Sequence, residues 1–144
     1  MKSQRFGIEI EMTGLTRRSA ALIIAKHFDT GFRHERGVYD TYSVCDQDGR
    51  KWKIVRDASI TPQCGNRFDY DPDYKVEVVS PVCHYEDIET IQSIVRELRR
   101  NGHAKVNESC GIHIHVDASK HTARSLRNIA NIMYSKEDLS LIHI

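Results

Sequence analysis

Glu9 and Glu11 stand two residues apart in FGIEIEM (Phe6 to Met12), and the alternation of that segment sends both carboxylates to one strand face, about 7 Å apart. Gly7 shares that face and lets a ligand or a second backbone approach closely. An acidic pair of this kind is either a solvated outer surface or one side of a cation site. Glu77, in KVEVVSP, lies between Val76 and Val78 and so occupies the polar face of another apolar strand. Carboxylates from separate strands are a donor set that Mg²⁺ takes, because this hard cation binds oxygen and keeps waters and substrate phosphates around it.

The stretch CGIHIHVD (Cys110 to Asp117) adds imidazoles. With a period of two, His113, His115 and Asp117 line one face, and Ile112, Ile114 and Val116 are expected to be buried on the other. Two histidines in register on polar ground point to function ahead of a half-exposed strand whose histidines merely hydrogen-bond. Zinc is the rival cation, since H-x-H supplies two ligands and Cys110 or Asp117 a third. The glutamates favour the harder metal, and Mg²⁺ with a nucleotide is the better fit. In KWKIVRDAS, Lys53 and Arg56 are suited to neutralising phosphate oxygens, and Asp57 to orienting a metal-bound water or an amine nucleophile. Trp52 and Ile54 are read as sharing a side with Arg56, and a surface hairpin carrying charge pairs is the competing account of this segment.

The elements that must position these groups follow from periodicity. Phe6 to Met12 reads as a strand. Thr16 caps a helix on which Ala20, Ala21, Ile24 and Phe28 recur before Gly31 closes it. Val38 to Cys45 and Lys51 to Ser59 flank Asp46-Gln47-Asp48-Gly49, a hairpin turn ending in Asp-Gly. Thr61 to Tyr74 has the composition of a loop, and Lys75 to Ser80 is a strand stopped by Pro81. Tyr85 to Asn101 is the clearest helix, with Ile88, Ile91, Val95 and Leu98 on one face and Gly102 as its stop. Strands are expected at His103 to Asn107 and Gly111 to Asp117, and a final helix over about Thr122 to Tyr134 carries Leu126, Ile129, Ala130 and Met133. The sum is an α+β fold, a largely antiparallel sheet with helices on one face and the concave face left for chemistry.

At 144 residues the chain suits one domain, and 40% hydrophobic with 28% charged residues is a globular composition. Lys plus Arg number 21 against 20 Asp plus Glu, so a net charge of +1 supplies no field toward nucleic acid or membrane. Arg96, Arg99, Arg100 and Lys105 form a short basic cluster without interleaved aromatics, so nucleic acid is not an expected partner. Four separated cysteines without a C-x-x-C pair, no signal-peptide core and no long apolar run lead to the expectation of reduced thiols, no membrane and a cytoplasmic location. The last hexapeptide, LSLIHI (Leu139 to Ile144), is what a transposon-end sequencing adapter encodes in one frame, so the natural domain is expected over 1–138, with 139–144 a non-native tail.

Taken in order, FGIEIEM, YDTYSV, KWKIVRDAS, KVEVVSP and SCGIHIHVDAS, followed by a helix and SKED, resemble the amidoligase family, grouped with glutamine synthetase and glutamate–cysteine ligase as carboxylate–amine ligases. The resemblance covers Arg5 to Asp138. It implies ATP and Mg²⁺ as cofactors, metal carboxylates at Glu9, Glu11 and Glu77, His113 near metal and nucleotide, and His115 near the substrate. It further implies carboxylate and amine substrates (an amino acid, a peptide or a cell-wall fragment) joined through an acyl phosphate. Such enzymes continue for about as many residues again, so the chain is expected to be the amino-terminal half of a glutamine synthetase/glutamate–cysteine ligase-like fold. A zinc-dependent hydrolase built on His113 and His115 and a non-catalytic binding module are the alternatives, and the sequence sets no oligomeric state.

Overall fold

The computed structural model describes residues 3–65, 67–68 and 70–136. Its main sheet has six antiparallel strands in the order β2-β3-β4-β7-β1-β8: β1 (Phe6–Met12), β2 (Phe32–Arg36), β3 (Thr41–Cys45), β4 (Lys51–Val55), β7 (Val76–Val79) and β8 (Ile112–Val116). A two-residue ribbon, β5 (Gln63–Cys64) and β6 (Arg67–Phe68), lies within the segment expected to be loop. The helices are α1 (Arg17–His27), α2 (Ile88–Gly102) and α3 (Ala123–Ser135). The protein is thus an α+β fold with an antiparallel sheet. The suspected tail, Leu139 to Ile144, lies outside the described residues.

The sheet gathers most of its apolar side chains on one face. Met12, Val44, Trp52, Ile54, Val76 and Val78 project to one side and form a single core with Ala20, Ala21, Ile24 and Ala25 of α1 and Ile91, Ile94 and Leu98 of α2. Thr16 caps α1 by accepting from the Ser19 N–H, but the helix ends at Phe28, and Asp29 rather than Gly31 takes the left-handed turn at φ 51°. Likewise His103, at φ 58°, caps α2 in place of Gly102. Gly102 is the last helical residue, and glycine suits the place because a Cβ would stand 2.8 Å from the tips of Leu15 and Ile23.

Four strand expectations need correction. The strand expected over Lys51 to Ser59 ends at Val55, and Asp57 and Ser59 lie in the loop that follows. Val38 to Asp40 forms a turn, and β3 begins at Thr41. The segment Phe32–Arg36, unread as a strand because FRHER carries charge instead of alternating apolar residues, is the exposed edge strand β2, where charge discourages further pairing. His103 to Asn107 contributes only one bridge, Thr13 with Lys105, before the chain turns at Asn107 to Cys110.

The far edge brings a further correction. Ile112, Ile114 and Val116 were expected to be buried, yet they are 62%, 64% and 55% exposed, because β8 pairs only with β1 and no described helix covers its apolar side. The face of α3 bearing Leu126, Ile129 and Met133 is exposed too. The two helices that join the core, α1 and α2, do lie on the apolar side of the sheet, as expected.

Candidate functional site

The opposite sheet face carries the polar groups, and strand register aligns them. Glu9 sits on β1 between His113 of β8 and Val79 of β7, and Val79 in turn faces Lys53 of β4. One step along, Glu11 is the partner of Glu77, and Glu77 of Val55. Side chains two residues apart on a strand share a face, so Glu9, Glu11, Glu77 and His113 converge by pairing alone. Asp57, just beyond β4, reaches the same place from the loop that follows.

Two overlapping sets of donor atoms result, Glu9–Glu77–His113 and Glu11–Asp57–Glu77, each with one atom per residue and all atoms of a set within 4.8 Å of one another. The His113 Nδ1 and the His115 Nε2 each approach Glu9 Oε2 at 3.2 Å. The buried Glu11 accepts a hydrogen bond from the Gly111 N–H at 2.6 Å. Asp57 Oδ1 accepts from the Ser59 N–H at 2.6 Å and the Ser59 hydroxyl at 2.7 Å.

Crowding sets the proton affinities. Glu77 is pushed up to about 7, first by burial and then by the neighbouring charges of Glu9, Asp57 and Glu11. Glu9 is held below the usual carboxylate range chiefly by its hydrogen bond to His115, and Asp57 below it by the two hydrogen bonds from Ser59. A half-buried carboxyl that ionises reluctantly beside carboxylates that ionise readily is a cluster short of positive charge.

Not all expected residues join. Lys53 is exposed on the correct face, with Val79 between it and Glu9. Arg56 lies away from the cluster, where its guanidinium donates to the Val38 carbonyl at 2.7 Å and its N–H to the Tyr39 carbonyl at 2.8 Å. Nor do the extra zinc ligands suggested above take part. Cys110 Sγ is directed to Asn107 Oδ1 at 3.7 Å, and Asp117 is bound by the Ser119 N–H and by Arg5, which hold its carboxyl down to about 2. Sequence reasoning gave no role to Ser59, which it grouped with Lys53, Arg56 and Asp57, and missed Asn107, Ser109 and the Gly111 amide. The signal was present in Asp-x-Ser and Asn-x-Ser, spacings at which a side-chain oxygen accepts from the backbone two residues on.

Beside the cluster, a cavity of about 400 Å³ is lined by Gly7, Glu9, Val79, Pro81, Val82 and His115, among others. That volume is within the range of small-ligand sites.

Fold and site together define an α+β domain with a carboxylate–imidazole cluster on the open face of an antiparallel sheet. The chain belongs to the amidoligase family: the family described as "Putative amidoligase enzyme" matches residues 2–141, and the description is of a ligase-type activity. No curated protein and no solved structure matches the chain. Among the described residues, no helix is long and apolar enough to cross a membrane.

Proposed function

We propose that the protein is an ATP- and Mg²⁺-dependent carboxylate–amine ligase that forms an amide or isopeptide bond through an acyl phosphate. The observation that carries this reading is the pair of donor sets sharing Glu77. Four carboxylates and one imidazole make up these sets, an oxygen-rich environment that fits Mg²⁺ better than zinc. The raised proton affinity of Glu77 supports the same conclusion, because a cation offsets both the cost of burying its charge and the repulsion that together cause it. The finer fold assignment, the amino-terminal half of a glutamine synthetase/glutamate–cysteine ligase-like sheet, and a cytoplasmic location go with the reading.

Mg²⁺, when bound, aligns and neutralises phosphate oxygens. Glu9, Glu77 and His113 would hold one ion and Glu11, Asp57 and Glu77 a second, the two sharing Glu77. The Gly7 cavity receives the nucleoside, and Lys53, on the same face, balances phosphate charge. A substrate carboxylate oxygen attacks the γ-phosphorus, the bond to the ADP oxygen breaks, and an acyl phosphate forms. The amine nitrogen then attacks the acyl carbon, phosphate leaves with the bonding electrons and takes up the surplus amine proton as hydrogen phosphate, and Asp57, which Ser59 keeps anionic, orients the amine. His115, anchored on Glu9, orients the carboxylate. Positioning and charge neutralisation are the protein's contribution. The substrates are an amino acid, a peptide or a cell-wall fragment.

Incubation with ATP, Mg²⁺, hydroxylamine and a panel of amino acids and peptides tests the proposal. Hydroxamate should appear with equimolar ADP only when Mg²⁺ is present. Stoichiometric zinc surviving dialysis, with amide hydrolysis that needs no ATP, would overturn it in favour of a hydrolase.

A further inference from the structure

The loop that carries Asp57 and the loop that precedes β8 are stitched together by side chains outside the carboxylate cluster. Asn107 Nδ2 donates to the Thr61 carbonyl at 2.9 Å. In return the Thr61 N–H donates to Ser109 Oγ at 2.8 Å, and that hydroxyl donates to Asn107 Oδ1 at 2.6 Å. Asn107 Oδ1 also accepts from the Ser109 N–H at 3.0 Å, which fixes the turn leading to Gly111. At one end of this clasp the Gly111 N–H grips Glu11, and at the other Ser59 grips Asp57.

We infer that Asn107 and Ser109 are positioning residues that set the Asp57 side of the cluster, holding Asp57 at ligand distance from Glu11 and Glu77. The inference rests on the metal-binding reading above and deepens it. Asp57 follows β4 and has no strand register of its own, so its place depends on the fixation of its loop. Ile60, fully buried, anchors that loop independently, so loss of the clasp loosens the loop without releasing it. Glu9 and His113 are register partners on paired strands and need no such help.

The test is a Mn²⁺ titration of the whole chain followed by electron paramagnetic resonance, in the wild type and in Ser109→Ala, Ser109→Thr and Asn107→Asp. The wild type should load two steps. Ser109→Ala should weaken the Glu11–Asp57–Glu77 step by about tenfold or more, the usual cost of losing an outer support of a metal site, and leave the Glu9–Glu77–His113 step in place. Ser109→Thr retains the hydroxyl and should restore the weakened step. Asn107→Asp keeps the Oδ1 acceptor and loses only the donor to Thr61, so it should also weaken that step, even though its added negative charge favours cations. Both steps unchanged in these variants, or both weakened alike, would overturn the positioning role alone. A wild type that binds no Mn²⁺ would overturn the metal reading and this inference with it.

Discussion

His113 and Glu9 are register partners across β8 and β1, and the His113 Nδ1 lies 3.2 Å from Glu9 Oε2, the same oxygen that the His115 Nε2 approaches at 3.2 Å. One carboxylate oxygen thus gathers both imidazoles of the G-x-H-x-H strand. Glu9 is therefore the hinge between the donor cluster and the Gly7 cavity.

Glu9→Gln keeps the shape of this side chain and removes its charge. Divalent-cation affinity, read by Mn²⁺ titration, should fall by about tenfold or more, while far-UV circular dichroism stays unchanged because the group is partly exposed and outside the apolar core. Unchanged cation affinity would remove Glu9 from the site. The same substitution should lower the Glu77 proton affinity, since Glu9 is its largest charge neighbour.

Glu77 gives the cluster a pH signature. Its ordinary value is 4.5 and its folded value about 7, so between these limits the folded chain holds a proton that the unfolded chain has released. The stability from this group is fully present below the lower limit and is lost as pH rises through the upper one. Urea unfolding in the presence of a chelator should show it declining from about pH 5 to about pH 8, and Glu77→Gln should flatten that decline. Cations must displace the same proton, so their affinity should rise over the same interval. A cation affinity independent of pH would sink this account.

Ile54 and Ile114 look alike in sequence, each the isoleucine of a period-two apolar alternation on a strand (Trp52 with Ile54, Ile112 with Ile114), and the fold separates them. Ile54 is fully buried between the sheet and the helices, whereas Ile114 is 64% exposed. Ile54→Ala should cost about 2–5 kcal/mol in chemical denaturation, and Ile114→Ala about 1 kcal/mol or less. Equal costs would mean that the apolar side of β8 is covered in solution.

That contrast marks how far the sequence could be read. The alternation of FGIEIEM and GIHIHVD and the Asp-Gly hairpin are local signals, so β1, β8, β3 and β4 were legible, as were the shared faces of Glu9 with Glu11 and of His113 with His115. Whether an apolar face is covered depends on which element lies over it, which no periodicity encodes, and so Ile112, Ile114 and Val116 were misjudged. Residue type suits Arg56 to phosphate, but its guanidinium donates to the Val38 carbonyl instead, a choice that no sequence pattern encodes. The Asn107–Thr61 contact joins residues 46 apart in the chain and became visible only once the loops were together.

Gly7 offers a test of the nucleotide site that leaves the metal cluster intact. It lies on β1 outside the left-handed region, and an added Cβ would meet only the Cβ of His115 at 3.9 Å, an ordinary contact. A strand tolerates valine well, so Gly7→Val should keep or slightly raise the melting temperature. Its methyl groups would nevertheless project into the roughly 400 Å³ cavity beside Glu9 and His115. Calorimetry should then show ATP binding weakened by about tenfold or more, the order expected when bulk of about 1.4 kcal/mol or more opposes a ligand, with Mn²⁺ affinity unchanged. ATP binding as tight as in the wild type would place the nucleoside elsewhere, whereas loss of Mn²⁺ binding as well would mean that cavity and cluster are one site.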